Sequence, residues 1–398
     1  MAAAPPLDVP VRELQQARIA VSGLFFINAV LFANLVPRYP EVKERLGLSN
    51  AALGGALAAF PLGALLAGLF AAVLIRRFGS AAVASRGLVA LGVLLALVPL
   101  ARNWPMLALA MLGAGALDAI VDVAQNAHGF RVQRLYRRSI VNAFHGVWSI
   151  GAVLGGLMGS VAAGLDVPLT AHLVASAVLF GSIALACNVF LLPGAEDAER
   201  DDSEASSGKG LAGIPRAALL TLLALGIVAA CGAFVEDAGA SWGALYLRTE
   251  LGTGAAVGGL AFVALQVAMT AGRLTGDRVV DRFGQRTVAL GGGVLIAGGM
   301  GAALAVPSVG TTLLGFTLAG LGVATLIPAV MHTAEELPGL PHGVGLTMVS
   351  WLLRAGFLLS PPLVGIVADA VSLRVALLSV VVAGLGILTL GRVLRNDT

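Results

Sequence analysis

The feature that most constrains this chain is a series of apolar segments, each about as long as a lipid bilayer is thick. A helix of roughly 20 apolar residues spans the hydrocarbon core of a membrane, and twelve such segments occur along the 398 residues. Their approximate ranges are 18–38, 50–75, 82–101, 105–128, 140–164, 169–192, 214–246, 253–276, 287–306, 309–331, 343–368 and 373–393. We predict an all-α membrane protein with twelve transmembrane spans.

Composition and charge predict the orientation of these spans. Hydrophobic residues make up 58% of the chain and charged residues only 12%, against roughly 25% charged in soluble domains. The polar start shows no signal-peptide pattern, so we expect both termini in the cytoplasm. Of the 25 Lys and Arg residues we place 18 on the cytoplasmic side, six outside and Arg354 in the membrane. This bias follows the positive-inside rule and predicts N-in/C-in topology in a bacterial cytoplasmic membrane.

The two halves of the chain repeat each other at an offset of 205 residues. Arg77-Phe78-Gly79 recurs as Arg282-Phe283-Gly284, Leu46-Gly47 as Leu251-Gly252, Gly115 as Gly320 and Gly151 as Gly356. We therefore predict an N-terminal six-helix bundle (1–192), a flexible polar cytoplasmic linker (193–213) and a C-terminal six-helix bundle (214–398). Parallel repeats of this kind suit a transporter that rocks around a site near the midplane.

A charged loop motif lies between the eighth and ninth segments. The stretch from Gly276 and Asp277 to Arg286 reads G-D-R-V-V-D-R-F-G-Q-R. Asp281, Arg282, Gly284 and Arg286 occupy the D-R-x-G-x-R places of a signature that it resembles, the loop 8–9 motif of the major facilitator superfamily. The glycine permits a tight turn, and the aspartate can latch one conformation by accepting bonds from a helix N-terminus or an arginine. In the first-half copy, Arg76 stands where the aspartate belongs.

The whole chain resembles this superfamily in length, span number, linker and repeat. The strings D-x-x-x-D-x-x-x-N-A-H-G, F-H-G-V-W-S-I-G and E-D-A-G-A-S-W-G-A-L-Y-L look like its poorly characterised YbjJ-type branch, sometimes labelled fucose-permease-like. The resemblance implies a secondary transporter. The string from Gly151 to Gly156 also resembles the helix 5 motif of drug/proton antiporters, with Ala152 in place of its proline, and favours export.

Ionisable residues inside the membrane are costly and usually face a cavity, a partner or a substrate. We find five of them, Asp118, Asp122, Glu236, Asp237 and Arg354. Asp118, near mid-depth, is the preferred residue for coupling or substrate binding. Arg354 needs an anion, which could be Asp118, Glu236 or an anionic substrate, and a structural salt bridge between the halves is an equal alternative.

The second aspartate matches a histidine in depth. With residues 129 and 138 taken as the cytoplasmic edges, Asp122 and His145 each lie seven residues inside the membrane. Gln125 lies on the same helical stripe as Asp122. An aspartate and a histidine can relay protons, although a purely structural hydrogen bond explains the pair equally well. In span seven we favour Glu236 for the site, because Asn28 of span one is its expected counterpart in the repeat. Asn28, Gln125, Trp148 and Trp351 are expected to line the cavity, where the two tryptophans could stack on a solute or simply pack.

These residues predict a secondary active transporter working by alternating access. We expect proton coupling and prefer export of a small organic solute. The alternative within transport is proton-coupled uptake of a sugar-like solute. The alternative outside transport is a non-transporting membrane receptor or scaffold. The chain shows no nucleophile–base constellation, metal cluster or Walker loop, so we expect neither an enzyme nor a cofactor. The expected partners are the substrate, protons and the bilayer but not nucleic acid, and the protein is expected to be a monomer.

Overall fold

The computed structural model describes residues 10–136, 140–194, 216–337 and 344–394. The predicted linker lies almost entirely outside these ranges, as do Arg137 and Arg138. Within them, twelve helical segments are long and apolar enough to cross a membrane, as predicted. Numbered as spans 1 to 12, they are Val11–Leu46, Asn50–Phe78, Ser80–Leu100, Trp104–Tyr136, Val141–Gly164, Leu169–Asn188, Ala218–Thr249, Ala255–Phe283, Gln285–Ala305, Val309–Glu335, Val344–Ala370 and Leu373–Val393.

Some spans contain more than one helix. Span 1 consists of α-helices Val11–Leu35 and Tyr39–Leu46 with a 3-10 turn at Val36–Arg38; span 3 is helix Ser80–Leu97 with a 3-10 turn at Val98–Leu100; span 7 belongs to helix Arg216–Thr249; span 10 consists of Val309–Val323 and Leu326–Glu335; span 12 consists of Leu373–Ala376 and Leu378–Leu390 with a 3-10 turn at Gly391–Val393. A proline stands in the first turn of the second helix of span 1. Proline lacks an N–H and cannot continue a preceding helix undisturbed, which explains the break.

Span 4 is longer than predicted. The sequence placed its cytoplasmic end at residue 128, but the helix continues to Tyr136. Residues 129–136 carry Arg131 and Arg134 and could have been read as a loop, yet apart from Gly129 they have no helix-breaking residue. His128 therefore lies inside the helix and is fully buried.

The sequence repeat is present in the backbone as well. Gly79 and Gly284 have φ of 79° and 80°, and Gly47 and Gly252 have φ of 59° and 64°. L-residues with a side chain rarely adopt these angles. The glycines at the 205-residue offset therefore make matching turns in the two halves.

The halves pack against each other through two pairs of spans. Span 2 meets span 11 where the backbone of Pro361 fills the space beside Gly54, and span 5 meets span 8 where Ala256 fills the space beside Gly164. Both contacts lie toward the end of the membrane that the charge bias places outside. Within the described residues no comparable packing joins span 4 to span 10 or span 11 on the cytoplasmic side. The described parts of the halves thus close on the outer side and separate toward the cytoplasm.

A carboxylate joins the halves at this outer contact. Asp369, near the end of span 11, accepts hydrogen bonds from the backbone N–H groups of Asn50 and Ala51, each at 2.8 Å. These are the first two residues of span 2, whose N-cap Ser49 binds the next N–H. A negative charge at a helix N-terminus is favourable, because it satisfies free N–H groups and the helix dipole. Asp369 therefore caps a helix of the opposite half.

Candidate functional site

A chain of hydrogen bonds links three spans of the N-terminal half at mid-depth. The Asn28 Nδ2 donates to Asp118 Oδ1 at 2.8 Å, and Trp148 Nε1 donates to Asn28 Oδ1 at 2.9 Å. Asp118 lies 14 residues from the outer end of span 4, about 21 Å along the helix. Asn28 thus joins two of the residues expected at the cavity, Asp118 and Trp148.

Close helix packing positions this group. Gly151 of span 5 lies against the backbone carbonyl of Phe26 in span 1, and Gly155 lies against that of Val30. Small residues at such positions let helix backbones approach in a membrane. The approach brings Asn28, which is 4% exposed, within reach of span 5.

Asp122 and His145 lie near each other but do not bond directly. Asp122 is exposed and accepts from Asn126 Nδ2 at 3.0 Å and, more weakly, from Gln125 Nε2 at 3.4 Å. His145 is also exposed, and its ring packs edge-on against Phe25 at 5.2 Å between centroids. The two groups are within electrostatic range, yet no hydrogen bond or ion pair joins them among the described residues. The predicted proton relay between Asp122 and His145 would therefore need an intervening group.

The Glu236 carboxylate has a partner that the sequence did not predict. Arg273 Nη2 lies 3.9 Å from Glu236 Oε2. Arg273 was counted among the cytoplasmic charges, because the eighth segment was expected to end at residue 276. The span continues to Phe283, which places Arg273 ten residues, about 15 Å, inside. The position of Arg273 inside the membrane follows only when the end of span 8 is placed at Phe283 rather than at residue 276.

Arg354 faces the N-terminal half. It is exposed and within electrostatic range of Asp122, but it forms no ion pair with Asp118 or Glu236 in the described structure. Trp351, one turn away on the same face, has 55% of its surface exposed. Across the interface, His145 is similarly within range of Arg273. Ionisable groups of the two halves therefore face each other between mid-depth and the cytoplasmic side of the membrane.

Two residues expected to line the cavity are instead buried inside the N-terminal bundle. Gln125 is 0% exposed and Asn28 is 4% exposed, so both contact the lining residues from within the bundle. The expected pairing of Asn28 with Glu236 in the repeat is also wrong. Gly151 lies against the Phe26 carbonyl and Gly356 against the Ala230 carbonyl, an offset of 204 that aligns Asn28 with position 232.

The two aspartates of the gating motif are exposed and form no latch with any described residue. Asp277, Asp281 and Arg282 are exposed, and neither aspartate has a hydrogen bond or ion pair among the described residues. Gly284 makes the turn between spans 8 and 9, as predicted. Gly276 packs against Thr325 of span 10. The described cytoplasmic ends of the two halves do not pack against each other. The carboxylates of Asp277 and Asp281 therefore have no described helix N-terminus of the other half within reach.

The N-A-H-G string of span 4 is structural. Ser80 Oγ and His128 Nδ1 lie 2.7 Å apart, and the Leu192 N–H donates to His128 Nε2 at 3.2 Å. Arg131, one turn on, donates to the carbonyl of Pro193 at 2.8 Å. These bonds fasten the cytoplasmic end of span 4 to span 3 and to the segment after span 6. In the described ranges, no group of three His, Cys, Asp or Glu residues could hold a metal ion.

Two repeated six-helix halves whose ionisable groups face each other inside the membrane are the architecture of a membrane transporter. The family model of the Major Facilitator Superfamily matches residues 21–236 and 222–398. The chain belongs to this superfamily, and it is a transporter rather than an enzyme.

Similar proteins agree with this assignment. The chain is 33% identical over 368 residues to the membrane protein MosC of Rhizobium meliloti, covering 92% of this chain and 87% of that one. It is 31% identical over 354 residues to an uncharacterised MFS-type transporter of Yersinia pestis, covering 88% and 89%. A bacterial homologue of the human lysosomal transporter Spinster, solved inward-facing and unoccupied, has the same fold, with a TM-score of 0.75, 17% identity and coverage of 97% and 98%.

Proposed function

We propose that this transporter is proton-coupled and moves a small neutral or cationic organic solute, with export as the preferred direction. It would work as a monomer, taking the solute at the interface between the halves. The YbjJ-type strings place it, on this proposal, in that branch of the superfamily. The observation that carries the proposal is the set of ionisable side chains that face each other across the interface, inside the membrane.

The balance of charge supports the cargo class. Three acids stand at the interface, Asp118, Asp122 and Glu236, against the two cations Arg273 and Arg354. Since Arg273 lies beside Glu236, the N-terminal side presents two carboxyl groups. These carboxylates would repel an anionic solute, whereas an amine or a polyol could donate hydrogen bonds to them directly.

Asp118 is the residue proposed to bind solute or proton. Its Oδ1 accepts from Asn28, and its carboxyl group is partly exposed. Asp122 and His145 are proposed as the relay toward the cytoplasm, connected by water or by the solute. Arg354, near Asp122, would be the counter-charge when that carboxyl is ionised.

The alternative direction is proton-coupled uptake of a sugar-like solute. One observation favours it: Trp148 is held in a fixed position by Asn28, 2.9 Å from its ring nitrogen. An aromatic face beside carboxyl groups is suited to stacking on a sugar ring. The two directions differ in the sign of the coupled proton flux.

The test is a ligand-stabilisation screen of the purified protein with sugars, other metabolites and antibiotics, followed by flux in proteoliposomes with and without a pH gradient. We expect a stabilising compound to move outward in exchange for protons. Inward movement with protons would replace export by uptake, and flux indifferent to the gradient would disprove proton coupling.

Variants separate the relay from the binding residue. Asp122→Asn and His145→Ala should abolish the effect of the pH gradient while the compound still stabilises the protein. Asp118→Asn should reduce stabilisation as well. Asp166→Asn, at an exposed position outside the site, is the control. Gradient-driven flux unchanged in both relay variants would show that the pair is structural.

A further inference from the structure

Asp237 is a buried carboxyl group that the proposed site does not use. It follows Glu236 in span 7, and Arg273 is paired with Glu236. Its Oδ1 accepts from Ser241 Oγ at 3.2 Å. Its Oδ2 is buried and has no hydrogen-bond partner among the described residues.

The groups around Asp237 come from both halves of the protein. Ser360 of span 11 lies beside the carboxyl group, and Tyr39 of span 1, only 4% exposed, lies within electrostatic range. The other charged neighbour is Glu236, which is paired with Arg273. No Lys, Arg or His forms an ion pair with Asp237 in the part of the chain that the structure describes.

An ionised carboxylate is unfavourable in such a position. Taking an unpaired charge out of water costs several kcal/mol, and Asp237 has hydroxyl neighbours but no counter-charge. The neutral acid avoids this cost. If the outer side opens, as the proposed function requires, Tyr39 separates from Asp237 with the N-terminal half, and water can then solvate the ionised carboxylate.

We propose that closing of the outer side requires proton binding at Asp237, and that opening releases this proton to the outer water. The inference rests on the proposed alternating-access function and extends it to a second acid on the outer side. The proton adds to one carboxylate oxygen of Asp237, and no other bond is made or broken. By linkage, one proton changes the ratio of closed to open molecules about tenfold per pH unit, in favour of the open state as pH rises.

The other titratable groups near the outer contact either affect opening in the opposite direction with pH or occupy other positions. Protonating Asp369 would weaken its bonds to Asn50 and Ala51 and so favour opening at low pH, opposite to the effect of Asp237. Tyr39 and Glu236 are the remaining neighbours. A change in pH response that is specific to Asp237 therefore identifies its contribution.

The experiment measures the outer opening directly. Spin labels are placed at Arg102→Cys and Val306→Cys, in outer loops of opposite halves, in a Cys187→Ala/Cys231→Ala background. Electron–electron distances are recorded in nanodiscs over a series of pH values from acid to alkaline, because linkage predicts a pH-dependent population wherever the two states differ by one bound proton. We expect the longer distance to gain population as pH rises.

Asp237→Asn mimics the neutral acid and should remain closed, losing the pH response. Asp237→Ser is a smaller neutral variant that is used if Asp237→Asn does not fold, and it should also remain closed without a pH response. Asp166→Asn, an exposed outer acid, should keep the response. A pH response retained in the Asp237 variants, or none in the parent protein, would overturn the inference. Because no substrate is needed, this failure is distinct from a flux result that disproves proton-coupled transport.

Discussion

Asn28 is the residue on which the geometry of the candidate site depends most. It donates to Asp118 and accepts from Trp148, so it fixes an acid and an aromatic ring with one side chain. A buried amide that uses both its donor and its acceptor in this way holds one orientation. Replacing it leaves two polar groups without their partner.

We predict that Asn28→Ala lowers the free energy of unfolding by about 1–3 kcal/mol, because it removes two part-buried hydrogen bonds that contribute about 0.5–1.5 kcal/mol each. Thermal unfolding of the purified protein in detergent measures the change. Asn126→Ala is the matched control, because Asn126 donates to the exposed Asp122, where water can replace it, and should cost less than about 1 kcal/mol. Equal costs for both variants would contradict the supporting role of Asn28.

At this scale the sequence predicted the site residues better than their partners. Asp118, Asp122 and Glu236 stood out because an acid in an apolar helix is costly. Arg273 and the burial of Gln125 could not be predicted, because they depend on where span 8 ends and how span 4 is rotated. Those properties come from packing between helices, which a single helix does not encode.

At the scale of helices, glycines determine how closely the spans approach. Gly115 of span 4 lies against the carbonyl of Phe60 in span 2, and Gly320 lies against that of Leu265 in span 8, again 205 residues apart. A Cβ at either position would overlap a backbone atom. Backbone cannot move aside as a flexible side chain can, so the helices would have to separate.

We expect Gly115→Ala to destabilise the N-terminal half by about 1–3 kcal/mol. Gly68→Ala provides the control, because nothing lies within 4 Å of the added methyl group and alanine is the better helix former by about 1 kcal/mol. Chemical denaturation of both variants measures the difference. If Gly115→Ala were as stable as Gly68→Ala, the close approach of spans 2 and 4 would be refuted.

For the molecule as a whole, the outer contact is the place where the two halves are joined by a carboxylate, and we expect it to influence the balance between open and closed conformations. Asp369 caps span 2 from the opposite half through two bonds of 2.8 Å. Since these bonds exist only when the outer side is closed, they stabilise that state alone. A variant that weakens them should change conformation without unfolding either half.

Asp369→Asn keeps one carbonyl acceptor but loses the charge and one bond. A bond to a charged group contributes about 1.5–3 kcal/mol, so the open population should rise at least about tenfold. Distances between labels at Arg102→Cys and Val306→Cys measure the shift. The control is Glu250→Gln, because Glu250 accepts from the Leu373 N–H within one half; if it opened the outer side as much, the contact across the halves would not be the cause.

The overall architecture was the most predictable part of the protein. Twelve spans and the 205-residue repeat follow from hydropathy and from glycines such as Gly79 and Gly284, and the structure confirms both. The conformation was not predictable. Asp369 looks in the sequence like a surface acid at a helix end, and only the packing of spans 2 and 11 brings it to the first residues of span 2.

The partners of Asp369 have a consequence for how this protein can vary. Both are backbone N–H groups, which almost every amino acid possesses, so side-chain changes at Asn50 or Ala51 leave them in place. At the pseudo-symmetric contact the corresponding residue is Gly164, which has no side chain to bond with Ala256. We therefore expect a change of Asp369 alone to shift the resting conformation while leaving every residue of the candidate site unchanged.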